Sequence, residues 1–165
     1  MTFTCLADGE SDDAEPEAII TISERRHLVS GSQTTGYRTW EGALHLATYL
    51  LSRDGQDLIR GKNVLELGAG TGLLAILCAK RLGAAHVRAT DGDEGVVEAL
   101  EENFALNNLG ETKAQAKLLR WGDPLDESRP HVDSKVLSCD VVIGADVVSS
   151  RFPSYVSGKS ITQIC

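Results

Sequence analysis

A chain of 165 residues with 42% hydrophobic content is long enough for one domain with a sizeable core. Its longest apolar segment, Leu73–Ala79, is far too short to cross a bilayer, and Met1–Cys5 lacks the basic and apolar regions of a secretory signal. The formal net charge of −8 is concentrated in Asp8–Glu17, which holds six acidic residues and no basic one, so residues 1–18 are expected to form a solvated, mobile leader.

No basic stripe suits a phosphate backbone, which argues against nucleic acid as a partner. Cys5, Cys78, Cys139 and Cys165 are dispersed, and His27, His45, His86 and His131 share no ligand spacing. This pattern predicts a reducing, cytoplasmic setting, with neither a metal site nor a disulfide framework.

In chain order, Glu17–Ser23 alternates Ile20 and Ile22 with Thr21 and Ser23, a short strand signal, with Arg26–Ser30 as its expected hairpin partner. Gly31–Gly36 reads as a loop. Thr39 is placed to cap a helix in which Trp40, Ala43, Leu44, Ala47 and Leu51 share one apolar face, widened by Leu46 and Leu50. Ser52–Lys62 carries turn signals at Asp54-Gly55 and Gly61. Lys62–Leu67 is the first core strand, and Leu73–Leu82 its helix, stopped by Gly83. His86–Thr90 is the second strand. Asp93 can cap a helix over about Glu94–Asn107 whose face is Val96, Val97, Leu100 and Phe104. Ala114–Trp121 is the third strand, Gly122–Ser138 a polar connection, and Asp140–Ala145 the fourth strand.

Apolar strands alternating with helices predict an α/β fold. It is a Rossmann-like, doubly wound parallel sheet covered on both faces, incomplete at its first four core strands, behind a short N-terminal β-hairpin and helix. The fourth strand is expected at an edge. From Ser149 onward, SSRFPSYVSGKSITQIC has no sustained periodicity.

The stretch VLELGAGTG, Val64–Gly72, is a strand running into a glycine turn that opens a helix, the place where open α/β sheets bind nucleotides and nucleosides. Its glycines alternate, and Leu73 stands where a dinucleotide fingerprint needs its third glycine. No Gly-Lys-Ser/Thr follows, which excludes a P-loop. Glu66 at the strand end would repel a pyrophosphate yet accept from an ammonium. Asp91 ends the next strand and suits two ribose hydroxyls. Trp121 ends the third and can face a flat base. Singly, Asp91 also reads as a turn or capping residue and Trp121 as core. Together they describe a ligand with an amino acid end and a nucleoside end, S-adenosylmethionine.

These residues resemble the class I, seven-strand S-adenosylmethionine-dependent methyltransferases. More narrowly, the chain is similar to the protein-lysine methyltransferases that share a nicotinamide N-methyltransferase-like domain, and most to the branch acting on elongation factor 2. The resemblance rests on Thr34–Leu46 (TTGYRTWEGALHL), Val64–Gly72, Ala89–Val97 (ATDGDEGVV), Trp121-Gly122 and Gly144–Val147 (GADV), within Ile19–Val148. It implies a partial cofactor-binding domain over residues 19–148 and a divergent or truncated tail over 149–165. By position, Trp40, Gly68, Ala69, Gly70 and Ala145 would line the cofactor, Asp91 would bind its ribose, Trp121 would sit beside its adenine, and Glu66 would accept from its methionine end. Asp146 matches the acid of a D-x-x-Y/F motif that faces the incoming lysine, while Ser149 replaces the aromatic residue. The implied reaction is methyl transfer to a lysine ε-amine of a protein substrate, elongation factor 2, with no nucleic acid or membrane partner. The alternatives are a cofactor-binding fragment without turnover, a small-amine N-methyltransferase and, against the glycine spacing, an NAD-dependent oxidoreductase.

Overall fold

The structure is a computed structural model and describes residues 1–5, 18–25, 35–120 and 138–147. Two strands, β1 (Thr2–Cys5) and β2 (Ala18–Thr21), pair antiparallel with Thr2 opposite Thr21 and Phe3 opposite Ile20. Two helices follow, α1 (Glu41–Leu51) and α2 (Arg53–Ile59). The main sheet is built from β3 (Asn63–Leu67), β4 (His86–Asp91), β5 (Ala114–Leu118) and β6 (Val141–Ile143). Helix α3 (Leu73–Lys80) joins β3 to β4, and α4 (Glu94–Leu106) joins β4 to β5.

The four strands are parallel in the order β5-β4-β3-β6. The chain moves outward from β3 through β4 to β5, then crosses to the other side of β3 for β6. The sheet's topological switch point therefore lies between β3 and β6, and among the described residues β6 is the last strand on that side.

Register explains the core. Val64, Val87 and Ala114 lie side by side, as do Glu66, Ala89 and Ala116, with Ile143 beside Glu66. All these apolar residues join one buried cluster with α3, α4, α1 and Ile59 of α2. Leu73–Ala79 of α3 are all buried, the mark of a helix packed on every side. Each of its leucines and Ile76 contributes about 1.5–3 kcal/mol of burial.

Several expectations are corrected. The partner of β2 is Thr2–Cys5, inside the segment read as a mobile leader; Ile20 and Ile22 are buried and Phe3 packs against the same core, so apolar burial holds this ribbon down. Residues 26–30, read as the partner, lie outside the described residues, as do 6–17 of the leader, the connection 121–137 and the tail from 148. Among the described residues every helix packs on the Val64/Val87 face, and the opposite face carries the small cluster of Leu65, Leu67, Val142 and Cys139. Asp54-Gly55 is not a turn but the first turn of α2, where Ser52 caps by accepting from the Gly55 amide. A Cβ at Gly55 would collide with the Tyr49 carbonyl and with Leu50, so this glycine permits the close approach of α1 and α2. In α1 the buried residues are Leu46 and Leu50, whereas Trp40 and Leu44 of the expected face are exposed.

Candidate active site

The cleft opens at the carboxyl ends of β3 and β6, outside the switch point, where doubly wound sheets hold ligands. Its floor is Glu66 and the turn Gly68-Ala69-Gly70-Thr71; its walls are Thr39, Trp40 and Ala43 at the start of α1, Leu73 and Leu74 of α3, and Ala145 after β6. Of the candidate residues read from sequence, Trp40, Glu66, Gly68, Ala69, Gly70 and Ala145 line this one cleft. Asp91 touches its rim through Gly70, and Asp146 sits beside it through α1. Trp121 lies outside the described residues.

The turn exists because its glycines take conformations other residues avoid. Gly68, Gly70 and Gly72 all have positive φ, at 63°, 53° and 79°. A Cβ at Gly72 would come within 2.5 Å of Leu100 Cδ2, so α4 packs directly on this turn. The Ala69 amide donates to Thr90 O at 2.9 Å, and the Gly70 amide donates to Asp91 Oδ2 at 3.1 Å.

Glu66 is the electrostatic centre. It is 3% exposed, and its Oε2 has no hydrogen-bond partner among the described residues. Burial pushes its carboxyl up to about 8; a hydrogen bond from the Ala75 amide in the first turn of α3 opposes this, and the nearby Asp91 charge adds to it. Asp91 is also raised, first by burial, against the hydrogen bonds it accepts from the Gly70, Asp93 and Gly92 amides. A buried carboxyl lining the cleft, with an acceptor oxygen that no described residue engages, suits a cationic group of a ligand.

Asp146 has an unusual setting. Its φ is +55°, and its Oδ2 accepts from the Gly42 amide at 2.8 Å. The residue before α1, Trp40, makes no side-chain cap bond, so a carboxylate from the segment after β6 serves this helix N-terminus. Thr39 is not the cap. Its Oγ1 shares a hydrogen bond of 2.9 Å with Thr71 Oγ1, closing the start of α1 onto the glycine turn. Trp40 donates through Nε1 to Thr35 O at 3.1 Å, and Arg38 stacks 4.4 Å from its ring centroid.

Sequence reasoning missed Thr39 and Thr71 as cleft residues. Their signal lay in the TTGYRTWE segment, but two hydroxyls distant in sequence meet only in the fold. A wider cleft of about 310 Å³ lies at the opposite, amino-terminal end of the strands, lined by Asn63, His86, Arg88, Glu111, Thr112 and Gln115. It has no glycine turn or helix N-terminus of the kind that receives a nucleoside.

The family model described as lysine methyltransferase matches residues 16–153. A protein-lysine N-methyltransferase, EFM3, from Chaetomium thermophilum is 49% identical over 129 residues, covering 78% of this chain and 38% of the relative. A protein of the same name from Saccharomyces cerevisiae is 36% identical over 143 residues, covering 78% and 40%. The chain thus spans about two fifths of the length of these curated relatives. Among solved structures, a ribosomal protein L11 methylase from Lactobacillus delbrueckii matches 62% of this chain and 45% of its own, at 25% identity and a TM-score of 0.41.

Proposed function

The chain belongs to the lysine methyltransferase family, and from that premise we propose that it forms the cofactor-binding part of a cytoplasmic protein-lysine N-methyltransferase acting on elongation factor 2. The methyl donor that goes with this family is S-adenosylmethionine. The residues present fit it, and one observation carries the reading: the buried Glu66 carboxyl, whose Oε2 no described residue engages, lines the same cleft as the glycine turn.

When bound, the cofactor supplies an electrophilic methyl group on a sulfonium. The rest falls to this chain's own residues, and it is positioning. Glu66 would accept from the amino group of the methionine end. Gly68, Ala69 and Gly70 lack the side-chain bulk that would keep the ligand off the backbone. Asp91, held by three turn amides, would accept from ribose hydroxyls, and Trp121 would flank the adenine. Trp40 and Ala145 would close the two sides. Asp146 belongs to the acceptor side, where it would position the incoming amine or accept from it; its Oδ2 also accepts from the Gly42 amide and so ties it to the start of α1.

Elongation factor 2 as substrate is supported by the resemblance of TTGYRTWEGALHL and ATDGDEGVV to the branch that methylates it. Both relatives are named as protein-lysine N-methyltransferases, which supports a protein acceptor. Because the chain matches about two fifths of them, cofactor binding without turnover is the second reading. Titration calorimetry with S-adenosylmethionine, run beside a labelled-methyl assay on purified elongation factor 2, separates the two. Binding with transfer to a lysine supports the enzyme. Binding without transfer supports the second reading, and no binding overturns both.

A further inference from the structure

Two asparagines, Asn103 on α4 and Asn107 at its C-terminal cap, do something the cleft does not explain. Asn103 and Asn107 are 1% and 2% exposed, although asparagine is a poor helix former and a buried amide is costly unless satisfied. One turn apart, they share a helix face. That face completes the free edge of β2 and its extension. Asn107 Oδ1 accepts from the Thr21 amide at 3.0 Å and its Nδ2 donates to Thr21 O at 2.7 Å. Asn103 Oδ1 accepts from the Ser23 amide at 2.8 Å and its Nδ2 reaches Ser23 O at 3.4 Å. Thr21 and Ser23 are two residues apart, the repeat of a strand edge, so the two side chains replace a neighbouring strand.

Asn107 also donates through Nδ2 to Asn103 O at 2.8 Å and accepts from Lys80 Nζ at 3.4 Å. Only Asn103 reaches the glycine turn, where its Nδ2 donates to Thr71 O at 2.9 Å. Thr71 lies between Gly70 and Gly72, both at positive φ. A turn so rich in glycine has many alternative conformations, so its shape must be imposed from outside. Asp91 and Thr90 O hold Gly70 and Ala69; Thr39 holds the Thr71 hydroxyl; Asn103 holds the Thr71 carbonyl. The strand that Asn103 grips continues into Glu24 and Arg25. Glu24 Oε1 accepts from the Thr39 amide at 3.0 Å, and the Arg25 amide donates to Tyr37 O at 3.2 Å. The N-terminal ribbon therefore braces the segment before α1 directly and the glycine turn through Asn103.

We propose that Asn103 is a positioning residue for the cofactor turn: its side-chain amide ties the Thr71 carbonyl to the N-terminal ribbon and so holds Gly68–Gly72 in the shape that receives S-adenosylmethionine. This rests on the cofactor reading above and adds to it a residue that does not line the cleft. Preorganisation of this kind lowers the ordering cost of binding.

Asn107 supplies the internal control, since it grips the same ribbon and meets Asn103 only at its backbone carbonyl, without touching the turn. Three variants of the full chain, Asn103→Ala, Asn103→Asp and Asn107→Ala, are compared by amide hydrogen exchange without ligand and by calorimetric titration with S-adenosylmethionine, well below their melting temperatures. Both alanine variants are expected to melt earlier. Asn103→Ala should speed exchange across Ala69–Leu74 about tenfold and weaken cofactor binding about five- to tenfold, on the scale of one hydrogen bond. Asn107→Ala should change each by less than about twofold. Asn103→Asp keeps an acceptor for the Ser23 amide but no donor for Thr71 O. It also sets a buried charge against the Ser23 and Thr71 carbonyls, so it should loosen the turn at least as much as alanine; if Asn103→Ala does not fold, the uncharged Asn103→Ser, too short to span both carbonyls, takes its place. Equal effects of Asn103 and Asn107 variants, or an unchanged turn in the Asn103 variants, would overturn the proposal. If the unmodified chain does not bind S-adenosylmethionine, the cofactor reading fails, and the exchange measurement still decides whether Asn103 holds the turn.

Discussion

At the scale of single residues, Glu66 is where physical chemistry bears most directly on function. With its carboxyl pushed up to about 8, it carries a proton in the free protein at neutral pH. An ammonium placed beside it favours the carboxylate, so binding should release that proton. Titration with S-adenosylmethionine in buffers of different ionisation enthalpy should show release approaching one proton at pH 7, with affinity rising from pH 6 to 7.5. Glu66→Gln should abolish both trends and weaken binding about tenfold or more, the cost of losing a charge-assisted hydrogen bond. The same group sets a stability slope. Between its ordinary value of 4.5 and about 8, the folded chain holds a proton that the unfolded chain has released. Stability from this group is fully present below 4.5 and is lost as pH rises through about 8, by an amount on the order of a few kcal/mol. Thermal melts from pH 5 to 8 should fall in the unmodified protein and be flatter in Glu66→Gln; parallel slopes would show that Glu66 is not the titrating group.

At the scale of elements, the cleft depends on where helices start. Gly42 has room for no side chain, because a Cβ would lie 2.6 Å from the Asp146 carboxyl. Gly42→Ala and Asp146→Ala should therefore each destabilise by about 1 kcal/mol, the usual worth of a helix cap, whereas Asp146→Asn, which keeps an acceptor, should stay within about 0.5 kcal/mol. Denaturant titration reads all three. The glycine turn offers a second comparison. Gly72 and Gly61 have similar φ, +79° and +71°, but Gly72 abuts Leu100 while nothing lies within 4 Å of Gly61. Alanine at Gly61 should cost only the conformational term of about 1–2 kcal/mol. Alanine at Gly72 should cost that and about 1–3 kcal/mol of overpacking. Most elements were legible at this scale. Leu73–Lys80 and Glu94–Leu106 announce themselves by apolar content and by Asp93, whose Oδ1 indeed accepts from the Val96 amide at 3.1 Å. The Asp54-Gly55 turn signal misled because that glycine serves packing between two helices rather than local backbone freedom. Thr39 misled because a hydroxyl across the cleft competes for it.

At the scale of the whole molecule, stability should be graded outward from β3. That strand is paired on both sides, and α3 above it is buried from Leu73 to Ala79, while β6 has three residues and, among the described residues, pairs on one side only. Amide exchange of the intact chain should be slowest over Val64–Leu67 and Leu74–Ala79, and faster at Val141–Ile143 by about a hundredfold or more, since a short strand paired on one side opens locally at lower cost. Uniform protection across β3 and β6 would contradict this gradient. The helices packed on one face, and the apolar cluster of Leu65, Leu67, Val142 and Cys139 on the other, follow from the register of the four strands.

The sequence by itself determined the parallel α/β order and the glycine turn with Glu66 at its root. These depend on local periodicity and on backbone conformations that few residues can adopt. Only the tertiary structure decided that Thr2–Cys5 pairs with Ala18–Thr21, that Asp146 serves the start of α1, and that Asn103 spans a strand edge and the cofactor turn. Each of these contacts joins groups distant along the chain, and a polar side chain carries no mark of which distant backbone group will satisfy it until packing brings the two together.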